Sequence, residues 1–176
     1  MPALSGYENR CPSPPSDYEE EQEEPSEELV GDIPKREVIR LFLNLRKYIS
    51  STEETFVAAG EEDICDLWDA VNSTQVADFL VEHDILDVLV LLIPPAHSPT
   101  RLREIAAGIM ANVASHASIQ SLATLGHQMN VIFAAFEAED DPVNLRELMR
   151  LFSACQRRKS EDAQLARKEF NYQSFV

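Results

Sequence analysis

Ser98-Pro99-Thr100-Arg101-Leu102-Arg103-Glu104-Ile105 returns 43 residues later as Asp141-Pro142-Val143-Asn144-Leu145-Arg146-Glu147-Leu148. In each copy a short polar residue precedes a proline, the pair that opens a helix: the side chain caps free N–H groups, and proline fits the first turn. Leu102, Ile105, Ile109 and Val113 then recur at helical spacing. The same offset lays Val76 on Ile119, Phe79 on Leu122, Leu86 on Met129 and Val88 on Val131. Each unit reads as a short helix, a second apolar helix stopped by a break, and a longer third helix.

A period of about 40–47 residues with two or three helices is the armadillo/HEAT pattern, in which no unit buries its own apolar face and stacking builds the core. The expected class is all-α, since no stretch alternates like a strand between hairpin signals. Units 74–116 and 117–159 are expected in full, preceded by helices 35–49 and 61–72, with 160–176 an atypical polar C-terminal helix or tail.

Residues 1–32 differ from the rest. They hold ten acids, one arginine and five prolines, little that can be buried, and read as a disordered acidic tail. Whole-chain net charge is −16. Affinity for a nucleic-acid backbone comes from cations that release counterions, so direct nucleic-acid binding is not expected. The longest aliphatic run, Val88 to Ile93, is far short of the roughly 20 residues that span a bilayer, so no membrane association is expected. Helix 35–49 carries Lys35, Arg36, Arg40, Arg46 and Lys47 opposite an apolar stripe. That basic face is either simply solvated or attracts the acidic tail or a partner.

Cys11, Cys65 and Cys155 are an odd number in unlike contexts, neither a disulfide framework nor a clustered zinc site. The N-terminus shows no basic segment followed by an apolar core. A reducing, non-secretory compartment is the expectation, with the Asn72-Ser73-Thr74 sequon unglycosylated.

The third helices bear the candidate site. The offset picks out Glu61, Glu104 and Glu147, and sets Asp69 against Asn112. Third helices stacked in parallel make the three glutamates a carboxylate row that would prefer a Lys/Arg-bearing extended segment. The alternative is local pairing, because Arg101 and Arg150 stand three residues from Glu104 and Glu147. In armadillo stacks an asparagine on this helix often contacts a peptide backbone, since an amide offers both donor and acceptor. Asn112 holds that place, but the aromatic usual one turn earlier is Gly108. Either Asn112 centres a peptide groove or it satisfies neighbouring backbone. Arg103 and Arg146 are expected to tie one repeat to the next, and Trp68 to belong to the core. The cluster Arg157-Arg158-Lys159 is either a nuclear-import signal or a basic helix end favoured by the dipole.

The string Glu62-Asp63-Ile64-Cys65-Asp66-Leu67-Trp68-Asp69, with Ala77-Asp78-Phe79-Leu80, Arg101 to Ile105, Gly108 to Asn112 and Asp140-Asp141-Pro142, resembles the N-terminal part of the serum amyloid A-like (SAAL) family over residues 33–155. Despite its name, that family is not similar to serum amyloid A. The resemblance implies an armadillo-type, non-enzymatic, largely nuclear protein linked to cell proliferation. Family members extend well beyond the equivalent of Cys155, so the chain is expected to be a short form or a fragment.

Catalysis is not expected. His83, His97, His116 and His127 are dispersed, and no glycine-rich turn, metal-ligand spacing or paired nucleophile and base occurs, so no cofactor or small-molecule substrate is foreseen. Ser13 before Pro14, and Ser16 three residues before Glu19, suit proline-directed and acidophilic kinases. The reading is a protein-binding adaptor, nuclear and also cytoplasmic. The alternative is an acidic chaperone or masking factor for basic proteins, working through residues 1–32.

Overall fold

A computed structural model describes residues 27–49, 61–96 and 98–173, without the side chains of 119–124 and 162–173. Residues 1–26, with Ser13 and Ser16 and nearly all of the expected acidic tail, lie outside the described residues, as does the connection 50–60. Seven helices are described: α1 Lys35–Lys47, α2 Glu61–Ala70, α3 Thr74–Glu82, α4 Ile85–Leu92, α5 Thr100–His116, α6 Ile119–Ala138 and α7 Pro142–Gln173. The chain is therefore mostly helical, and no described helix is long and apolar enough to cross a membrane.

Each boundary has a local cause. Pro94-Pro95 follow α4, where the missing N–H and the ring deny the helix another turn. Asp84 adopts a left-handed φ of 63° and separates α3 from α4. Aspartate is among the few non-glycine residues that tolerate this region. Pro142 opens α7, and Asp141 Oδ1 accepts the backbone N–H groups of Val143 and Asn144 at 2.9 and 3.0 Å.

The core is built around α5, whose Leu102, Ile105, Ala106, Ala107, Ile109, Met110, Ala111, Val113 and Ala114 are all buried. A helix apolar nearly all round has neighbours on every side. α2 and α7 flank α5, and α3 and α4 pack on it as well; α1 packs on α2, and α6 packs on α3, α4 and α7. The row α1, α2, α5, α7 thus brings together the helices that the 43-residue offset equates as third helices, with the helix before them.

Three boundaries differ from the sequence expectation. Leu29–Val30 and Ile33–Pro34 form a small antiparallel hairpin, inside and just after the stretch assigned to the tail. Gly31 takes φ 63° at the turn, and Val30 and Ile33 pack against the core. Glu28 Oε1 pairs with Lys35 Nζ at 2.9 Å and Glu27 Oε1 with Arg36 Nε at 2.6 Å, so two acids near the end of the tail pair with the basic residues that open α1. Second, the unit from 117 has one helix, α6, where the unit from 74 has two. His127, equivalent to Asp84, stays helical, so of these two positions Asp84 alone has the left-handed backbone. Third, α7 runs unbroken through residues 159 and 160 to Gln173.

Candidate functional site

The three equivalent glutamates do lie along adjacent helices, but arginines are threaded between them. Arg101 on α5 reaches back to Glu61 on α2, with Nε 2.7 Å from Oε1, and its Nη1 donates to Glu104 Oε2 at 2.6 Å. Arg146 on α7 lies 3.9 Å from Glu104 and 3.2 Å from Glu147, and Arg150 Nε is 3.2 Å from Glu147 Oε2. The row therefore reads Glu61, Arg101, Glu104, Arg146, Glu147, Arg150 across three helices. The i,i+3 pairing on α5 and α7 is present, and it is extended from helix to helix. The hydrogen bond to Glu104 above all, and then that to Glu61, raises the Arg101 pKa and keeps it charged, against the opposing effect of burial. Glu104 and Glu147 are largely covered by their partners, while Arg146 stands two-thirds exposed.

Asn112 is occupied by its own chain. Its Nδ2 donates to the Trp68 carbonyl at 3.1 Å, and its Oδ1 accepts from Arg150 Nη2 at 2.7 Å. The same Arg150 nitrogen donates to the Gly108 carbonyl at 2.9 Å, and the guanidinium sits 5.8 Å from the Trp68 ring centroid. Trp68 is half-buried and packs against the edge of the core, and its indole lies directly over Gly108. The aromatic missing from position 108 is thus supplied from α2. Asp69, next to Trp68, is exposed and stands outside the ion-paired row. Together, α2, α5 and α7 present one polar strip: the Glu/Arg row, then Gly108, Trp68, Asn112 and Arg150, with Asp69 at its edge.

Sequence reasoning missed one participant, Glu139, and the long-range partners of Arg150 and Arg158. Arg150 serves two places in the strip, a role visible only once α7 is laid on α5. Arg103 ties its helix to the next unit, as expected, but through a residue not foreseen. Its Nε and Nη2 donate to Glu139 at 3.0 and 3.1 Å, and Nη1 donates to the Ser98 carbonyl at 2.9 Å. Glu139, in the α6–α7 connection, also accepts from Asn144 Nδ2 at 3.2 Å and from the Asp141 N–H at 3.1 Å. This is a buried, charge-matched knot. Finally, Arg158 of the basic cluster donates from Nη2 to the Ser115 and Ala117 carbonyls at 2.9 and 2.8 Å, satisfying the C-terminal end of α5. Cys65 lies 3.9 Å from Arg101 Nη2, yet burial raises its thiol pKa more than the arginine lowers it. Among the described residues no group of three His, Cys, Asp or Glu is placed to hold a metal ion.

No family model matches the sequence, and no solved structure matches it. Two curated proteins do. Protein saal1 of Danio rerio is 30% identical over 159 residues, 84% of this chain and 33% of that protein. Protein SAAL1 of Homo sapiens is 30% identical over 112 residues, 62% of this chain and 23% of that protein. The chain spans about a third or less of the length of the curated relatives it matches. Over most of its length, this is a SAAL-like sequence, related to the SAAL1 proteins.

Proposed function

We propose that the chain is a non-enzymatic, armadillo-type interaction scaffold whose α2/α5/α7 strip takes an extended, Lys- or Arg-bearing segment of a partner protein. The observation that carries this reading is the occupancy of Asn112: a guanidinium, Arg150, already rests between an amide oxygen, a backbone carbonyl and an indole face. A pocket that holds one guanidinium this way has the chemistry to hold another. The exposed acids Glu62, Asp66 and Asp69 on α2 supply the long-range attraction. The SAAL resemblance supports action in the nucleus and a link to regulation of cell proliferation.

The test is a titration of the whole chain with a fluorescent Arg/Lys-rich peptide at two salt concentrations. Binding that weakens with salt, and that falls about tenfold in Asn112→Ala and in Asp69→Lys, is the expected result, since a lost charge-assisted contact is worth about 1.4 kcal/mol or more. Equal affinity for wild type and both variants overturns it.

A further inference from the structure

Arg157-Arg158-Lys159-Ser160-Glu161-Asp162 is the one place in the sequence where a serine or threonine has arginines at both the third and the second position before it. Arginine-directed protein kinases read that spacing, because acidic groups beside their catalytic centre pair with the two guanidinium groups. The structure leaves most of the motif open. Among the described residues, Ala154 is the last buried one on α7, and from Gln156 to Glu161 every side chain is exposed except that of Arg158. Also among the described residues, the Ser160 hydroxyl has no hydrogen-bond partner and Arg157 no ion pair. Ser153 gives the contrast. It has a single arginine, Arg150, three residues before it; its Oγ donates to the Met149 carbonyl at 2.8 Å, and Arg150 is held by Asn112 and the Gly108 carbonyl.

We propose that Ser160 is a phosphorylation site for an arginine-directed serine/threonine kinase, with Arg157 and Arg158 as the recognised cations. Ser160 Oγ attacks the γ-phosphorus of ATP; the new O–P bond forms as the bond from that phosphorus to the bridging oxygen breaks, ADP leaves, and the hydroxyl proton passes to the kinase's catalytic aspartate. Arg158 links the site to the fold. Its Nη2 donates to the Ser115 and Ala117 carbonyls at the end of α5, its Nη1 lies 3.6 Å from Glu161 Oε2, and its Nε is buried without a partner among the described residues. A kinase takes its substrate as an extended strand, so α7 must open around Ser160 and Arg158 must leave α5. With every side chain from Gln156 to Glu161 exposed except Arg158, that opening costs mainly those bonds. The phosphate then adds about −1.5 to −2 of charge to a stretch, 157–162, that holds three bases and two acids, and the basic end of α7 becomes net negative. This inference goes beyond the partner-binding strip and does not rest on it.

The experiment incubates the full chain with ATP and the catalytic subunit of cyclic-AMP-dependent protein kinase, and maps phosphate by mass spectrometry of proteolytic peptides. The expected result is one dominant phosphoserine, Ser160, lost in Ser160→Ala and retained in Ser153→Ala. Arg157→Ala and Arg158→Ala should each lower kcat/KM at Ser160 about tenfold or more, the worth of one charge-assisted contact. Arg158→Ala also removes bonds to α5, so a urea melt accompanies it. Arg157, exposed and free of ion pairs among the described residues, carries the recognition test without that complication. A chain that takes no phosphate at Ser160, or takes it mainly at another serine, overturns the proposal. So does an unchanged rate at Ser160 after Arg157→Ala.

Discussion

Trp68 fills the space that a side chain at residue 108 would need: a Cβ added there would press on Cζ2 and Cε2 of the Trp68 indole more closely than any real contact allows. Glycine within a helix ordinarily costs about 1 kcal/mol relative to alanine, so Gly108→Ala on an open helix would stabilise it. Here the sign reverses. The ring is wedged between α5 and Arg150, and accommodating a methyl means moving both. Gly108→Ala should destabilise by roughly 1–3 kcal/mol, the range for overpacking. Urea denaturation reads it directly, and in a Trp68→Ala background the same methyl should become neutral or stabilising. A rise in stability from Gly108→Ala alone would show that the indole does not rest there.

Arg103 and Glu139 make the second prediction. Their side chains are 10% and 2% exposed, so neither charge can turn to solvent when the other is removed. Arg103→Met should leave a buried carboxylate facing Asn144 and the Asp141 N–H with its strongest partner gone. The expected loss is about 3–5 kcal/mol, typical of breaking a buried pair from one side. Replacing both with Met should cost less than the sum of the single changes, which a double-mutant cycle by thermal or urea melting measures. Additive losses would mean that the two groups are not a pair.

How far the sequence could be read is clear from particular residues. Ser98-Pro99 and Asp141-Pro142 are local signals for where α5 and α7 begin, and Asp141 caps α7 as its side chain suggests; at the other break Pro99 is itself the cap residue, α5 starts at Thr100, and the Ser98 hydroxyl makes no hydrogen bond among the described residues. The same offset placed Glu61, Glu104 and Glu147 on one run of helices, because repeat register needs only spacing. It could not show that Asp84 turns left-handed while His127 stays helical, since both are short polar neighbours of apolar runs. Nor could it find Glu139, which stands beside Asp140 and Asp141 and reads as one more solvated acid until Arg103, 36 residues earlier, is folded against it. The hairpin at residues 29–34 was lost for a related reason. Val30 and Ile33 are too few to signal a strand, and their burial against the helices repays an ordering cost that composition alone assigns to disorder.

The two described thiols give a pH prediction. Burial raises the pKa of Cys65, with Arg101 opposing, and burial raises that of Cys155, with Lys159 opposing. The folded chain thus holds these protons more tightly than the unfolded chain. Their contribution to stability is complete below the unfolded thiol value of about 8.5 and is lost as pH climbs through the higher folded values. Urea midpoints should fall across that alkaline window, and Cys65→Ser/Cys155→Ser should flatten the fall. Peptide-resolved alkylation with iodoacetamide at mildly alkaline pH should be slower at both cysteines in the folded chain than in urea, because the thiolate is the reactive form. Equal rates in the two states would remove the argument.

Arg150 supplies the sharpest test of the polar strip, because the proposed partner and this side chain want the same place. Its Nη2 bonds Asn112 Oδ1 and the Gly108 carbonyl, and its plane lies by the Trp68 ring. If a basic segment binds there, it must displace Arg150, and the displaced contacts subtract from its affinity. Arg150→Ala removes the competitor and leaves the acceptors in place, so it should tighten binding of an Arg/Lys-rich peptide about threefold to tenfold, a gain of roughly 1 kcal/mol. It should also expose an acceptor that Asn112→Ala takes away, so the double change should bind no better than Asn112→Ala alone. A structural role for Arg150 predicts the opposite pattern, with the single change lowering stability and leaving peptide affinity unmoved or weaker. Fluorescence titration at fixed salt, alongside a urea melt of each variant, separates the two. Tightened binding without loss of the fold is the outcome that only a site can give.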